Sequence, residues 1–375
     1  MDTQGLRTWI EIDTRAAKQN YQAFRKLIKP RVKLWAVVKS NAYGHNLVLF
    51  SKLMATFGVD GLCVDSIVEA NRLREEGIEK PILVLGPTLP ARLKDAVKNN
   101  ITLSVSNFEA LKALAESKEK PEFHLKIDTG FHRQGFYLED VPKVIKIISN
   151  SKLEIRNCFR GVFTHLAAAK DVTYPLYTER QIENFKKALN LFTTGGYPHL
   201  LAHAAATGGT SLSPKYHFDA VRVGMGLYGF HASPELEMQL PQVELAPVLQ
   251  WKTVISEVKK FEEGDYIGYD ITERMRYPGK LAILPIGYWH GFPRALSSVG
   301  SVLIKGKFAK VLGRVSMDMT AVDVTEITCR PGDIVTLLGR EKGKEIRAQE
   351  VGRTIGTTQY ELLTRLNPLM ERILV

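Results

Sequence analysis

The sequence predicts an α/β protein: an N-terminal eight-stranded (β/α)8 barrel followed by a C-terminal mostly β domain. Three observations carry this. Short apolar runs alternate with helix-period stretches from residue 33 to residue 224. Eight such runs fit a closed parallel barrel covered by helices. Beyond about residue 240 the pattern changes to longer Val-, Ile-, Thr- and Gly-rich runs with period two, as in antiparallel strands.

The eight strand-like runs are KLWAVV (33–38), VDGLCV (59–64), ILVLG (82–86), ITLSVS (101–106), FHLKID (123–128), GVFTHL (161–166), HLLAHA (199–204) and AVRVG (220–224). Helix-period segments lie between them, among them 66–77, 107–118 and 177–192. An open doubly wound sheet is the alternative, but no G-x-G-x-x-G turn follows the first run. Pro234, Pro241 and Pro247 mark the change of pattern. Strands are then expected within 248–261, 280–288, 299–306 and 319–325, with a helix near 347–356 and an amphipathic stretch over 360–373. The expected domains are 14–238 for the barrel and 239–375 for the β domain. Residues 1–13, which hold the strand-like run TWIEID, are expected to join the β domain.

Length and composition narrow the function classes. At 375 residues, 45% hydrophobic and 24% charged, the chain is an ordinary globular protein. No apolar run is long enough for a membrane span. The N-terminus has no apolar core of a signal peptide, so the expected location is cytoplasmic. Cys63, Cys158 and Cys329 form neither a CxxC pair nor a metal-ligand cluster, so no metal is expected. The net charge of +11 comes from dispersed Lys and Arg, with no nucleic-acid module. It is read as a solvated basic surface that attracts small anions.

Barrel active sites form where the strands end. The first run ends in VVKSNAYGHN, which puts Lys39 at the mouth, followed by Tyr43. A lysine there is costly without a purpose, and its amine can condense with an aldehyde cofactor. A structural lysine is the plainer alternative, but other strand ends add Lys126, Asp128 and Arg133, then Thr164 and His165, then His203, then Arg222. Polar groups from several strands meeting at one rim favour a site. Thr207, with glycines 208, 209, 224 and 226, suggests a phosphate site of backbone N–H groups.

VVKSNAYGHN resembles the cofactor-lysine signature of the alanine racemases, a pyridoxal-phosphate family of fold type III. The resemblance continues through KIDTGFHRQG, FTHLAAAKD, VRVGMGLYG, GYWHGFPRALS, GRVSMDM and TTQYELL. It implies a barrel plus a β domain, and a head-to-tail homodimer whose active sites are shared between subunits. By resemblance, Lys39 carries pyridoxal 5'-phosphate. Tyr43, Thr207, Gly224, Met225 and Tyr360 contact its phosphate, and Arg222 faces its ring nitrogen with His165 beside it. Arg133 bonds its phenolic oxygen and takes part in substrate binding. Lys126 is the lysine that is often carbamylated and positions that arginine. Tyr288 is the second catalytic base and Met317 lines the substrate carboxylate site, both from the partner subunit. Arg314 and Asp318 lie near the entrance and the second base.

The implied activity is interconversion of L- and D-alanine by two bases, supplying D-alanine for peptidoglycan. Racemisation needs proton removal from one face of the α-carbon and delivery to the other. Lys39 can serve one face and Tyr288 the other. Arg222 stays protonated and so is a poor proton donor to the ring nitrogen, which limits side reactions. The chain departs from the usual family pattern at His132 (commonly Gly), Ala206–Thr207 (Asn–Ser), Trp289–His290 (Ala–Asp) and Ser316 (often Cys). None of these removes a proposed catalytic group, but His132 and Ala206 leave room for a broader alanine/serine racemase. A basic-amino-acid decarboxylase is disfavoured by Arg222, since that group pairs the ring nitrogen with a carboxylate. A non-catalytic pyridoxal-phosphate carrier is disfavoured by the β domain and Tyr288.

Overall fold

The computed structural model describes residues 5–151, 153–173 and 175–375. Residues 1–4 of the N-terminal stretch expected to join the β domain lie outside them. The described chain forms two compact units. One holds residues 16–42 and 47–246, and the other the N-terminal residues to Arg15, Tyr43–Asn46 and Pro247–Val375.

The larger unit is a closed parallel barrel. After β1 (Thr8–Ile12), its strands are β2 (Lys33–Val37), β3 (Gly61–Val64), β4 (Ile82–Val84), β5 (Thr102–Val105), β6 (Phe123–Lys126), β7 (Phe159–Phe163), β8 (Leu201–His203) and β9 (Ala220–Val223). They pair in chain order, and β9 closes on β2, with Trp35 opposite both Gly61 and Arg222. β3, β4, β6 and β9 are buried at every position, as expected for strands covered on both faces. Each of the eight expected runs contains or overlaps one strand.

The covering helices follow the apolar spacing. In helix Leu176–Thr194 the buried Thr178, Gln181, Ile182, Phe185, Ala188 and Phe192 recur every three or four residues. Ser66 and Asn107 start helices Ile67–Glu75 and Phe108–Glu116, each accepting a backbone N–H with its side chain.

The other unit is built on a largely antiparallel sheet. Its further strands are β10 (Leu249–Val254), β11 (Glu257–Phe261), β12 (Gly279–Leu284), β13 (Ser301–Ile304), β14 (Lys307–Leu312), β15 (Thr320–Asp323), β16 (Ile334–Glu341), β17 (Lys344–Ile346) and β18 (Glu371–Leu374). The order is β11-β12-β15-β14-β13-β16-β10-β1-β18, with β17 beside β16. β10 alternates buried and half-buried positions, the period-two pattern of its sequence. TWIEID forms β1, antiparallel to β10 and parallel to β18. The stretch 360–373 is not one amphipathic element: it splits into helix Gln359–Thr364 and most of β18. Main-chain pairing with β1 holds the final residues extended.

Candidate active site

Lys39 directly follows β2 and Val38. Its ammonium stands 3.8 Å from the Asp65 carboxylate, which follows β3. The next residues take an uncommon path. Ser40, Asn41, Ala42 and Tyr43 all have φ between 50° and 55°, a left-handed turn made without glycine. Such a turn is sterically costly for every residue and persists only where its surroundings over-determine it. Ala42 N–H donates to Val38 O at 2.9 Å. The Asn41 side chain accepts from Leu47 N–H at 2.9 Å, and Asn41 N–H donates to Glu69 at 3.2 Å. At the end of the turn, buried Arg372 donates twice to Gly44 O, at 3.2 and 3.1 Å.

Arg222 lies inside the barrel on β9, 3% exposed. Its guanidinium donates to Thr164 O at 2.8 Å, to Ala204 O at 3.0 Å and to His203 Nδ1 at 2.5 Å. His203 Nε2 in turn lies 2.8 Å from His124 Nδ1. Burial lowers the arginine's pKa to about 10, which still leaves it charged at neutral pH. The same burial, with the Arg222 charge, pushes His124 down to about 3 and His203 well below the usual imidazole range. Both rings are therefore neutral. The sequence reading gave His124 no role; its signal was a polar residue inside the apolar run FHLK. Cys63 is also buried in the barrel, and burial pushes its thiol up to about 12, so it is unreactive.

A second cluster follows β6. Lys126 is buried and donates to Gln134 Oε1 at 3.1 Å. Burial first, then the charges of Arg133 and Arg222, lowers its pKa to about 8. The Asp128 carboxylate accepts the N–H groups of Gly130, Phe131, His132 and Arg133, at 2.8 to 3.0 Å. These bonds hold the acid below the usual carboxylate range although burial opposes them. Asp128 thus organises the loop that carries Arg133, a role not assigned from sequence. His132 takes φ +54° here, a conformation that suits glycine. The Arg133 guanidinium lies 4.2 Å from the centre of the Phe131 ring, and Phe131 faces His165 at 5.4 Å. Burial, followed by the surrounding cations, lowers His165 to about 3. Gln181 holds the His165 loop by donating to His165 O and accepting from Ala167 N–H.

The third cluster lies beyond β8 and β9. Thr207 begins a short helix, Thr207–Leu212, and Ala206 before it offers no capping side chain. The first-turn N–H groups are therefore left to another acceptor. Thr207 Oγ1 accepts from Gly224 N–H at 3.1 Å and Gly226 N–H at 3.3 Å, so the two loops are joined through one hydroxyl. A Cβ at Gly208 would overlap the Ala169 carbonyl and one at Gly226 the Phe24 ring, so glycine fits the space at both. Met225 is buried at the start of the turn Met225–Tyr228. A helix start without a side-chain cap, between glycines and beside a hydroxyl, fits an anionic phosphate.

The remaining expected residues lie in the sheet unit. Tyr43 and Tyr360 meet edge to face with centroids 6.3 Å apart, and burial raises the Tyr360 phenol. Tyr288 opens the turn Tyr288–His290, and its N–H donates to Ser316 O at 3.0 Å, next to Met317. Tyr288 is 44% exposed and Met317 54%. Arg314 pairs with Asp270 at 3.2 Å. Asp318 contributes its charge to the surroundings of His290. A cavity of about 780 Å³ is lined by Tyr288, Arg294, Thr357, Glu361 and Arg365 among others. Among the described residues no group of three or more His, Cys, Asp and Glu could hold a metal ion, and no helix is long and apolar enough to cross a membrane.

Known proteins resemble this chain in sequence and fold over nearly its full length. Residues 12–232 match the alanine racemase N-terminal domain and residues 248–374 the C-terminal domain. The chain is 36% identical to an alanine racemase of Leptospira interrogans, over 98% of this chain and 96% of the relative. It is also 36% identical to one of Symbiobacterium thermophilum, over 99% and 98%. A Bacillus anthracis alanine racemase structure with bound L-Ala-P superposes with a TM-score of 0.92 at 31% identity, covering 99% of this chain and 95% of that one. One from Clostridium difficile gives 0.91 at 30%, covering 99% and 96%. By these full-length matches and by its fold, the chain belongs to the alanine racemase family.

Proposed function

We propose that this chain interconverts L- and D-alanine with pyridoxal 5'-phosphate as cofactor, and that it works as a cytoplasmic homodimer supplying D-alanine for peptidoglycan. The observation that carries the reading is one barrel bearing Lys39 after β2, buried Arg222 on β9 and the Thr207–Gly224 phosphate cradle. The family is pyridoxal-phosphate dependent, and the residues fit that group. The uncapped helix start suits its phosphate, with Thr207, Gly224 and Met225 beside it; by the family resemblance Tyr43 and Tyr360 would contact it as well. Arg222 would hold the ring nitrogen, His165 would lie beside the ring, and Arg133 would bond the phenolic oxygen. Lys39 would bear the aldehyde carbon.

When bound, pyridoxal phosphate withdraws electrons from the substrate α-carbon and so acidifies its hydrogen. The rest is the work of side chains. Lys39 Nζ exchanges a proton with one face of the α-carbon and Tyr288 Oη with the other, so one removes what the other replaces. Net turnover moves one proton from Lys39 to Tyr288 or back, and solvent restores the starting states. Arg133 and Met317 orient the substrate carboxylate. Arg222 is held by two carbonyls and a neutral imidazole, with no carboxylate among these partners, so it remains a cation that does not donate its proton. Tyr288 and Met317 are both largely exposed on this chain, which suits residues presented to a partner subunit.

The test is incubation of the cofactor-loaded protein with pure L-alanine, followed by chiral chromatography. An approach to equal amounts of both enantiomers is expected, with L-serine as the comparison for breadth. Borohydride should fix the cofactor on the peptide containing Lys39. Unchanged L-alanine, or fixation on Lys126, overturns the reading.

A further inference from the structure

We propose that His290 is a pH-gated positioning residue: its neutral ring clasps the turn that carries Tyr288, and its protonation releases that turn. The consequence for catalysis rests on Tyr288 being the second acid/base, as proposed above.

The turn is suspended from two sides. Tyr288 N–H and Trp289 N–H donate to Ser316 O and Met317 O, each at 3.0 Å. Gly287 lies against those same carbonyls, with no room for a Cβ. On the opposite side, Asn367 Nδ2 donates to Trp289 O at 3.0 Å and Asn367 N–H to His290 O at 3.2 Å. These four bonds link main chain or amide groups that do not titrate.

Within the turn, His290 N–H and Phe292 N–H donate to Gly287 O at 3.0 and 3.2 Å, and one further bond there does titrate. Gly287 N–H donates to His290 Nδ1 at 3.2 Å, in a buried setting. A backbone amide can only donate, so Nδ1 must present its lone pair and the neutral ring carries its proton on Nε2. A proton on Nδ1 removes the acceptor and sets two donors against each other. In this chain the acceptor is lost on acidification.

The groups around the ring decide where that happens. Burial is the largest influence and disfavours the cation. Arg7, from the segment leading into β1, disfavours it further, while Asp318, from the loop that carries Met317, favours it. Protonation therefore occurs below the ordinary imidazole value of about 6.5. The buried His124 and His165 lie near 3 and do not titrate in the same range.

Two variants of the loaded enzyme test this. His290→Asn keeps an acceptor oxygen close to where Nδ1 stands and does not titrate. His290→Leu removes the acceptor at every pH. In the wild type, kcat should fall with one extra proton uptake as pH drops below about 6.5, with little change in KM. His290→Asn should lose that inflection and match the wild type at pH 8 (about where the ring is neutral). His290→Leu should lower kcat at both pH values, roughly tenfold. Amide hydrogen exchange of the 286–292 peptide supplies a readout independent of turnover. It should be faster in the wild type than in His290→Asn at acid pH and equal at alkaline pH. Equal exchange at both pH values overturns the proposal, as does an acid inflection that persists in His290→Asn. If exchange follows the proposal while kcat does not, the clasp is supported and the role given to Tyr288 is what fails.

Discussion

The Arg222 guanidinium and the His203 imidazole meet at 2.5 Å inside the barrel, and the direction of this bond sets the tautomers of the two histidines behind it. Arginine can only donate, so His203 Nδ1 accepts and its proton lies on Nε2, which donates to His124 Nδ1. Burial holds both histidines far below Arg222 in basicity, with Arg222 at about 10 and His124 at about 3, so neither takes its proton. The arginine is thereby kept a cation next to the cofactor nitrogen it is proposed to hold.

Replacing that cation should change the outcome of the reaction. Arg222→Glu would place a carboxylate where it can share a proton with the ring nitrogen. Racemisation should slow by roughly 10²-fold or more, and pyruvate should appear from L-alanine as transamination becomes competitive. Chiral chromatography and a pyruvate assay on the same sample check this. Normal racemisation without pyruvate would remove the selectivity role given to Arg222.

The same buried chain makes stability depend on pH. The folded-state pKa values of His124 and His203 are depressed below the unfolded value of about 6.5. Their contribution is therefore present in full above that pH. It is lost as pH falls from about 6.5 towards the folded value near 3 for His124. The loss should be on the order of a few kcal/mol, and it should begin above the range in which carboxylates protonate. Urea unfolding at a series of pH values checks this. A midpoint that stays constant until the carboxylate range would contradict it.

The barrel was legible because parallel strands buried on both faces leave nearly unbroken apolar runs, and the strand ends then exposed Lys39, Arg133 and Arg222. Other features left weaker traces. β14, β16 and β17 carry Lys307, Lys310, Arg340 and Lys344 at exposed positions and Glu341 and Glu345 at half-buried ones, which broke the apolar signal. β18 is extended because β1 pairs with it across more than 350 residues of sequence, which no local pattern announces. The left-handed turn after Lys39 contains Ser, Asn, Ala and Tyr where only glycine would have signalled it. The links from Arg222 to His124, and from His290 to Gly287, are side-chain contacts that local spacing does not specify.

Lys126 should take up carbon dioxide. Its pKa of about 8, lowered by burial and then by Arg133 and Arg222, leaves a reactive neutral amine near neutral pH, and those two cations would favour an anionic carbamate in its place. With ¹³C-labelled bicarbonate, the NMR spectrum should show a carbamate signal that is absent from Lys126→Ala. A spectrum identical to that of Lys126→Ala would show an ordinary amine.

The strain at His132 should be recoverable. With φ at +54°, glycine fits the loop better than histidine, and the backbone bond to Asp128 does not need the imidazole. His132→Gly should therefore stabilise the barrel unit, by a net of about 0.5 to 1 kcal/mol after the larger entropy loss of glycine. Thermal unfolding of the two proteins side by side checks the sign. A lower midpoint for His132→Gly would mean that the imidazole contributes more than its backbone conformation costs.

Under the proposed function, Lys39 of one subunit and Tyr288 of the other serve a single substrate. Lys39→Ala and Tyr288→Phe should each be almost inactive alone, with losses of roughly 10²- to 10⁴-fold. Co-expressing the two variants gives mixed dimers with one doubly damaged site and one intact site. If mixing is random in a two-fold dimer, roughly a quarter of wild-type activity should return. Mixed dimers that form, as shown by affinity tags on the two chains, yet stay inactive would contradict the shared site.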